Sequence, residues 1–152
     1  MKKVYSIFVL FVLFVSFLIA GCQNLESSTN KNLEQDTISE YIPASEDIID
    51  LHGKIENEER FKEFLNHVET GIKDSIRVVR FTEEGDPILH DLAYDGKGIK
   101  STQDTRRDKF GRGSIINTTC TSTEVVETAE RTDYILQGCE NIKDNTILVT
   151  WK

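Results

Sequence analysis

The sequence predicts an α+β fold: a small domain with one main helix packed on a mostly antiparallel β-sheet, preceded by a signal peptide and a flexible tether. Three observations predict it. Phe61, Phe64, Leu65 and Val68 recur at i, i+3, i+4 and i+7, a single helical stripe. From Ser75 onward, short β-branched segments alternate with turn residues. Ahead of both lie an apolar leader and a polar stretch without period.

The leader occupies residues 1–21. Lys2 and Lys3 precede an apolar run from Val4 to Ile19, relieved only by Tyr5, Ser6 and Ser16. That run is shorter than the ~20 residues that span a bilayer comfortably. It ends in Ile19-Ala20-Gly21-Cys22, which resembles a bacterial lipobox with isoleucine where leucine is usual. Small residues let the extended chain enter a peptidase cleft, and the Cys22 thiol is the nucleophile that takes a diacylglyceryl group. Acyl chains there would anchor the mature chain, each buried methylene contributing roughly 0.8 kcal/mol. The alternatives are an uncleaved anchor with Cys22 incidental, or an ordinary signal peptide. The second sits poorly with a cysteine directly after Ala-Gly.

Residues 22–46 form the tether. Gln23–Ser45 is rich in Asn, Ser, Thr, Gln and Glu and cannot bury enough surface to offset its ordering entropy. As a flexible coil it holds the domain about 25–30 Å from its anchor.

The domain runs over 47–152. Ile48, Ile49 and Leu51 lead to a turn at His52-Gly53. Asn57 is placed to cap the helix, with Glu58 and Glu59 in the first turn where the dipole favours acids. Gly71 stops it in a left-handed conformation. Ser75–Phe81 and Ile88–Tyr94 are strands separated by the Glu84-Gly85-Asp86-Pro87 turn. Ile88, His90, Leu92 and Tyr94 share a face, with His90 at a half-buried position. Asp95-Gly96 suits a type I′ hairpin, with Ile99–Thr102 returning. Ser114–Thr119, Thr123–Thr128, Asp133–Gln137 and Thr146–Trp151 complete the strands.

Beyond Cys22 the chain carries 16 bases and 26 acids, a formal charge of −10. Binding nucleic acid is dominated by phosphate neutralisation, so that class of partner is excluded. With Cys22 taken by lipid, Cys120 and Cys139 remain, an even pair in an exported chain where a disulfide is permitted. Their numbers sum to 259, so a turn centred between Ala129 and Glu130 would set them opposite one another in a hairpin. Two unpaired buried thiols are the alternative. Their spacing suggests neither a redox motif nor a zinc ribbon.

No catalytic or cofactor motif occurs, and no metal set is proposed. Asp86, His90 and Asp91 could be drawn as an acid/base or metal cluster, but adjacent strand residues point to opposite faces, so His90 and Asp91 cannot both line one site unless a bulge intervenes. Residues 105–113 gather Arg106, Arg107, Lys109 and Arg112 in an acidic chain. These could bind an anion, since guanidinium forks match phosphate. The plainer alternative is a solvated loop paired with neighbouring acids.

Glu84-Gly85-Asp86-Pro87-Ile88, His90-Asp91-Leu92, Tyr94-Asp95-Gly96, Asp108-Lys109-Phe110-Gly111 and the Cys120/Cys139 pair resemble a family of uncharacterised Bacillus-type lipoproteins, domain of unknown function 4362. The resemblance spans about Asp47 to Trp151. It implies an exported lipoprotein of spore-forming Gram-positive bacteria, and it supplies no activity. The expectation is therefore a non-enzymatic binding or interaction module. It is held by its lipid on the extracytoplasmic face of the cell membrane and faces an unknown envelope or protein partner. A cell-envelope enzyme with an unrecognised site, or an inhibitor or immunity-like lipoprotein, is the alternative.

Overall fold

The computed structural model describes residues 40–140 and 144–152. The signal peptide, Cys22 and most of the tether lie outside the described residues.

Among the described residues, nine strands and one helix follow in the order β1 (Ile48–Leu51), β2 (Lys54–Glu56), α1 (Glu58–Thr70), β3 (Asp74–Phe81), β4 (Pro87–Tyr94), β5 (Ile99–Asp104), β6 (Ile115–Cys120), β7 (Ser122–Glu127), β8 (Arg131–Gln137) and β9 (Thr146–Trp151). The α+β class stands. The strands form two sheets, though, one of six in the order β2-β1-β3-β4-β5-β6 and one of three in the order β7-β8-β9. All neighbours are antiparallel except β1 and β3. The parallel pair follows from the crossover through α1, which returns the chain to the starting edge.

Helix α1 buries Phe61 and Phe64 and ends at Gly71 (φ 77°). The Gly71 and Ile72 amides donate to the Val68 and His67 carbonyls, the pattern that closes a helix through a left-handed residue. Asn57 does not cap through its side chain. It is itself left-handed (φ 57°), which turns the carboxamide away from the helix. Its Nδ2 donates instead to the Ser45 and Asp47 carbonyls at 3.0 and 2.7 Å. Asn57 thereby ties the helix start to the chain entering β1.

The main core joins α1 to both sheets: Ile48, Phe61, Phe64, Ile76, Val78, Leu92, Ile99, Cys120, Leu136, Ile147 and Leu148 are all buried in it. Phe61 meets Tyr134 edge to face, with ring centres 5.0 Å apart. An irregularity between Tyr134 and Ile135 gives β9 one extra residue, which lets consecutive Ile147 and Leu148 both bury. A smaller cluster of Ile49, Val79 and Leu89 includes Phe81 and Tyr41. Tyr41 lies in the segment read as tether. Its hydroxyl donates to Asp47, and burial followed by that carboxylate pushes the phenol up to about 12.

The β4–β5 connection is a hairpin, as Asp95-Gly96 implies, but not a two-residue type I′ turn. Tyr94 pairs with Ile99, and only Gly96 of the first two loop residues has positive φ. Asp95 Oδ1 accepts the Lys97 and Gly98 amides at 2.8 and 3.0 Å, which stabilises the longer loop.

Cys120 and Cys139 form a disulfide, with Cα atoms 4.0 Å apart. The β7–β8 register is the one their numbers imply: Ser122 pairs with Gln137, Thr123 with Leu136 and Val126 with Asp133. Cys120 itself ends β6, so the bridge joins the six-stranded sheet to the chain leaving the three-stranded one.

Candidate functional site

The basic segment is the loop between β5 and β6, and it is braced from both sides. At its neck the Thr105 amide donates to the Ser114 carbonyl at 2.9 Å, and the Ser114 amide to Thr105 Oγ1 at 3.0 Å. At its tip Asp108 Oδ1 accepts the Phe110 and Gly111 amides at 3.0 and 2.8 Å. A Cβ on Gly111 would stand 2.5 Å from Asp108 Oδ2, so a larger residue there would displace the Asp108 carboxylate.

The second brace comes from the β3–β4 turn. Gly85 (φ 87°) lets the chain fold back so that the Thr82 amide reaches the Asp86 carbonyl at 2.9 Å. Thr82 Oγ1 in turn accepts the Asp86 amide at 3.1 Å. Asp86 is thereby held inward. Its Oδ2 accepts the Lys109 amide at 3.0 Å and its Oδ1 meets Lys109 Nζ at 3.0 Å. The Lys109 backbone donor, then its ammonium, hold the Asp86 carboxyl below the usual range. Two motifs more than twenty residues apart are thus one structural unit.

Three of the four bases have carboxylate partners. Arg106 grips Asp104 with Nε and one terminal nitrogen, each at 3.0 Å, and Arg107 reaches the same carboxylate at 3.2 Å. Arg106, with help from Arg107, pulls Asp104 down to about 2. Lys109 pairs with Asp86. Arg112 is exposed, and no described residue pairs with it. The bases therefore do not converge on one anion, and the pairing matches the plainer alternative for most of the loop. What the brace displays is Phe110, 78% exposed at the tip. Sequence reasoning missed Asp104 and Asp86 as partners; for Asp104 the signal was an acid two residues before an Arg-Arg pair.

The acid/base candidates separate. Asp91 takes Arg77 in a two-point pair at 2.5 and 2.9 Å. His90 faces the other way and is buried (8% exposed) rather than half-buried. The cause is β5, whose buried Ser101 lies 2.7 Å from His90 Nε2. A serine beside an imidazole is a nucleophile–base arrangement in chemical terms. Here both groups are sealed in the sheet, out of a substrate's reach. An open groove of about 440 Å³ lies near Glu46, Asp47, Arg60, Arg77 and Asp91, but its arginines are paired, Arg77 with Asp91 and Arg60 with Asp74.

Removing the Asp86 brace should free the loop without unfolding the core. For Asp86→Ala, which leaves the Lys109 amide without its acceptor, we expect faster amide exchange at Lys109 and faster tryptic cleavage after Arg106, Arg107 and Arg112, with exchange in β3 and β4 unchanged.

No curated protein and no solved structure matches the chain. A family model described as a domain of unknown function, DUF4362, matches residues 45–135, from the chain entering β1 into β8. The chain belongs to the DUF4362 family.

Proposed function

We propose that the protein is an exported lipoprotein, anchored through Cys22 to the extracytoplasmic face of the cell membrane, and that its domain is a non-enzymatic interaction module. The observation that carries the module reading is the β5–β6 loop. Its backbone is pinned by Asp86 and Asp108, yet it holds a large aromatic side chain in solvent. Fixing a loop lowers the entropy lost when it docks, which favours recognition. The anchor reading rests on Ile19-Ala20-Gly21-Cys22 after a short apolar run.

Cys22→Ser tests the anchor. The variant should remain unprocessed, take up no labelled palmitate and leave the membrane fraction. Undiminished labelling would refute the lipobox assignment.

A further inference from the structure

We infer that the β5–β6 loop is the domain's contact with the lipid bilayer: Phe110 enters the headgroup boundary while Arg112 meets lipid phosphates. The inference rests on the anchored reading above.

The chemistry of the loop tip selects this occupant. Segments that lie in a membrane interface combine aromatic side chains that enter it with basic ones that stay at the headgroups. Phe110 is 78% exposed, flanked by Lys109, whose side chain is 80% exposed, and by exposed Arg112. Residues 105–113 hold four bases and one acid, Asp108, in a mature chain of charge −10. Asp104 and Asp86 take up Arg106, Arg107 and Lys109, so the positive charge the loop presents to an anionic surface is that of Arg112.

The brace supplies the rigidity that such a contact needs. Asp108 and Asp86 satisfy the amides of Lys109, Phe110 and Gly111, so insertion need not strip water from these donors. Gly113 (φ 56°) brings the returning chain against Arg106, leaving 3.2 Å between a notional Cβ and the Arg106 Cα. The ring therefore projects from a narrow, closed neck.

One ring is too small a contact to retain a free protein on a bilayer. Only 17 residues separate Cys22 from Glu40, the first described residue. A lipid at Cys22 would confine the domain near the surface, at an effective concentration of about millimolar. Weak insertion then suffices to set how the domain stands, and the tether and loop act as two points of attachment.

The test uses the full chain, recovered from membranes and reconstituted into vesicles of phosphatidylcholine with or without phosphatidylglycerol. Phe110→Trp in a Trp151→Phe background places the sole tryptophan at the loop tip. Flotation reports the anchor, and quenching by brominated acyl chains reports the loop. We expect the chain to float and its emission to fall about twofold with brominated lipid, more strongly with phosphatidylglycerol. Arg112→Gln should abolish the phosphatidylglycerol increment. Normal flotation without bromine quenching overturns the proposal. So does an emission shift that follows protein density but ignores bromine, which would mark a second copy as the occupant. Failure to float overturns the anchored reading itself.

Discussion

Replacing Cys120 and Cys139 together by serine lowers the stability of the domain by roughly 3 kcal/mol in the chain-entropy model, for a closed loop of about 20 residues. The bridge spans 19 positions and encloses the β7–β8 hairpin. Freed of it, the unfolded chain gains conformations, while the folded chain loses the covalent join between β6 and the exit from β8. Cys120 is only 1% exposed, packed with Ile99 and Leu136 in the main core, so a serine hydroxyl there adds a desolvation cost. A small domain has little stability in reserve, and a loss of this size is a large fraction of it. Equilibrium denaturation of the double variant, against the oxidised parent, measures it. A difference below about 1 kcal/mol would mean that the paired registers hold the hairpin without the bridge.

Acid is expected to destabilise the fold in two stages, the first set by His90. Burial, reinforced by the nearby Arg80 guanidinium, lowers its pKa from 6.5 to about 4, against the opposing pull of Asp91 and Asp144. The unfolded chain therefore takes up this proton first as pH falls. Stability drops from about pH 6.5 downward, and the full penalty, roughly 3 kcal/mol, is reached below about pH 4. Asp104, held at about 2 chiefly by Arg106, acts with the same sign but later. So do Asp74, Asp86, Asp95 and Asp144, all held below the usual carboxylate range. Their stabilisation is complete above their unfolded values and is lost as pH falls through the folded ones. Urea denaturation between pH 7 and 4 should show the slope in the parent and a much flatter line in His90→Gln, whose carboxamide can still bond Ser101. Equal slopes would assign the first stage to other groups.

Local patterns were readable from the sequence; partners were not. The α1 stripe and the stop at Gly71 follow from periodicity and from the left-handed cap. The β7–β8 register follows from the arithmetic of a symmetric turn. The division into two sheets was not legible, because a period of two says which face a residue takes but not which strand lies beside it. Only Thr121 separates β6 from β7. Strand β2, Lys-Ile-Glu, is too short and too charged to show a pattern. Asn57 has the right composition for a cap and the wrong backbone conformation, which no single residue type discloses. The depth of His90 depends on Ser101 in the next strand.

The loop shows the same division. Four clustered bases drew attention to residues 105–113, but their partners decide their role. Asp104 and Asp86 neutralise three of them, and the second of these acids comes from another turn. The exposed Phe110 between them was visible as a letter, while its bracing is a tertiary property.

The anchor is the claim on which the functional account depends, and the N-terminal peptide of the mature protein tests it most directly. Mass spectrometry of the protein recovered from its native membranes should find Cys22 as the first residue, carrying a diacylglyceryl group on sulfur. A first residue elsewhere, or an unmodified Cys22 within a retained leader, would contradict the account.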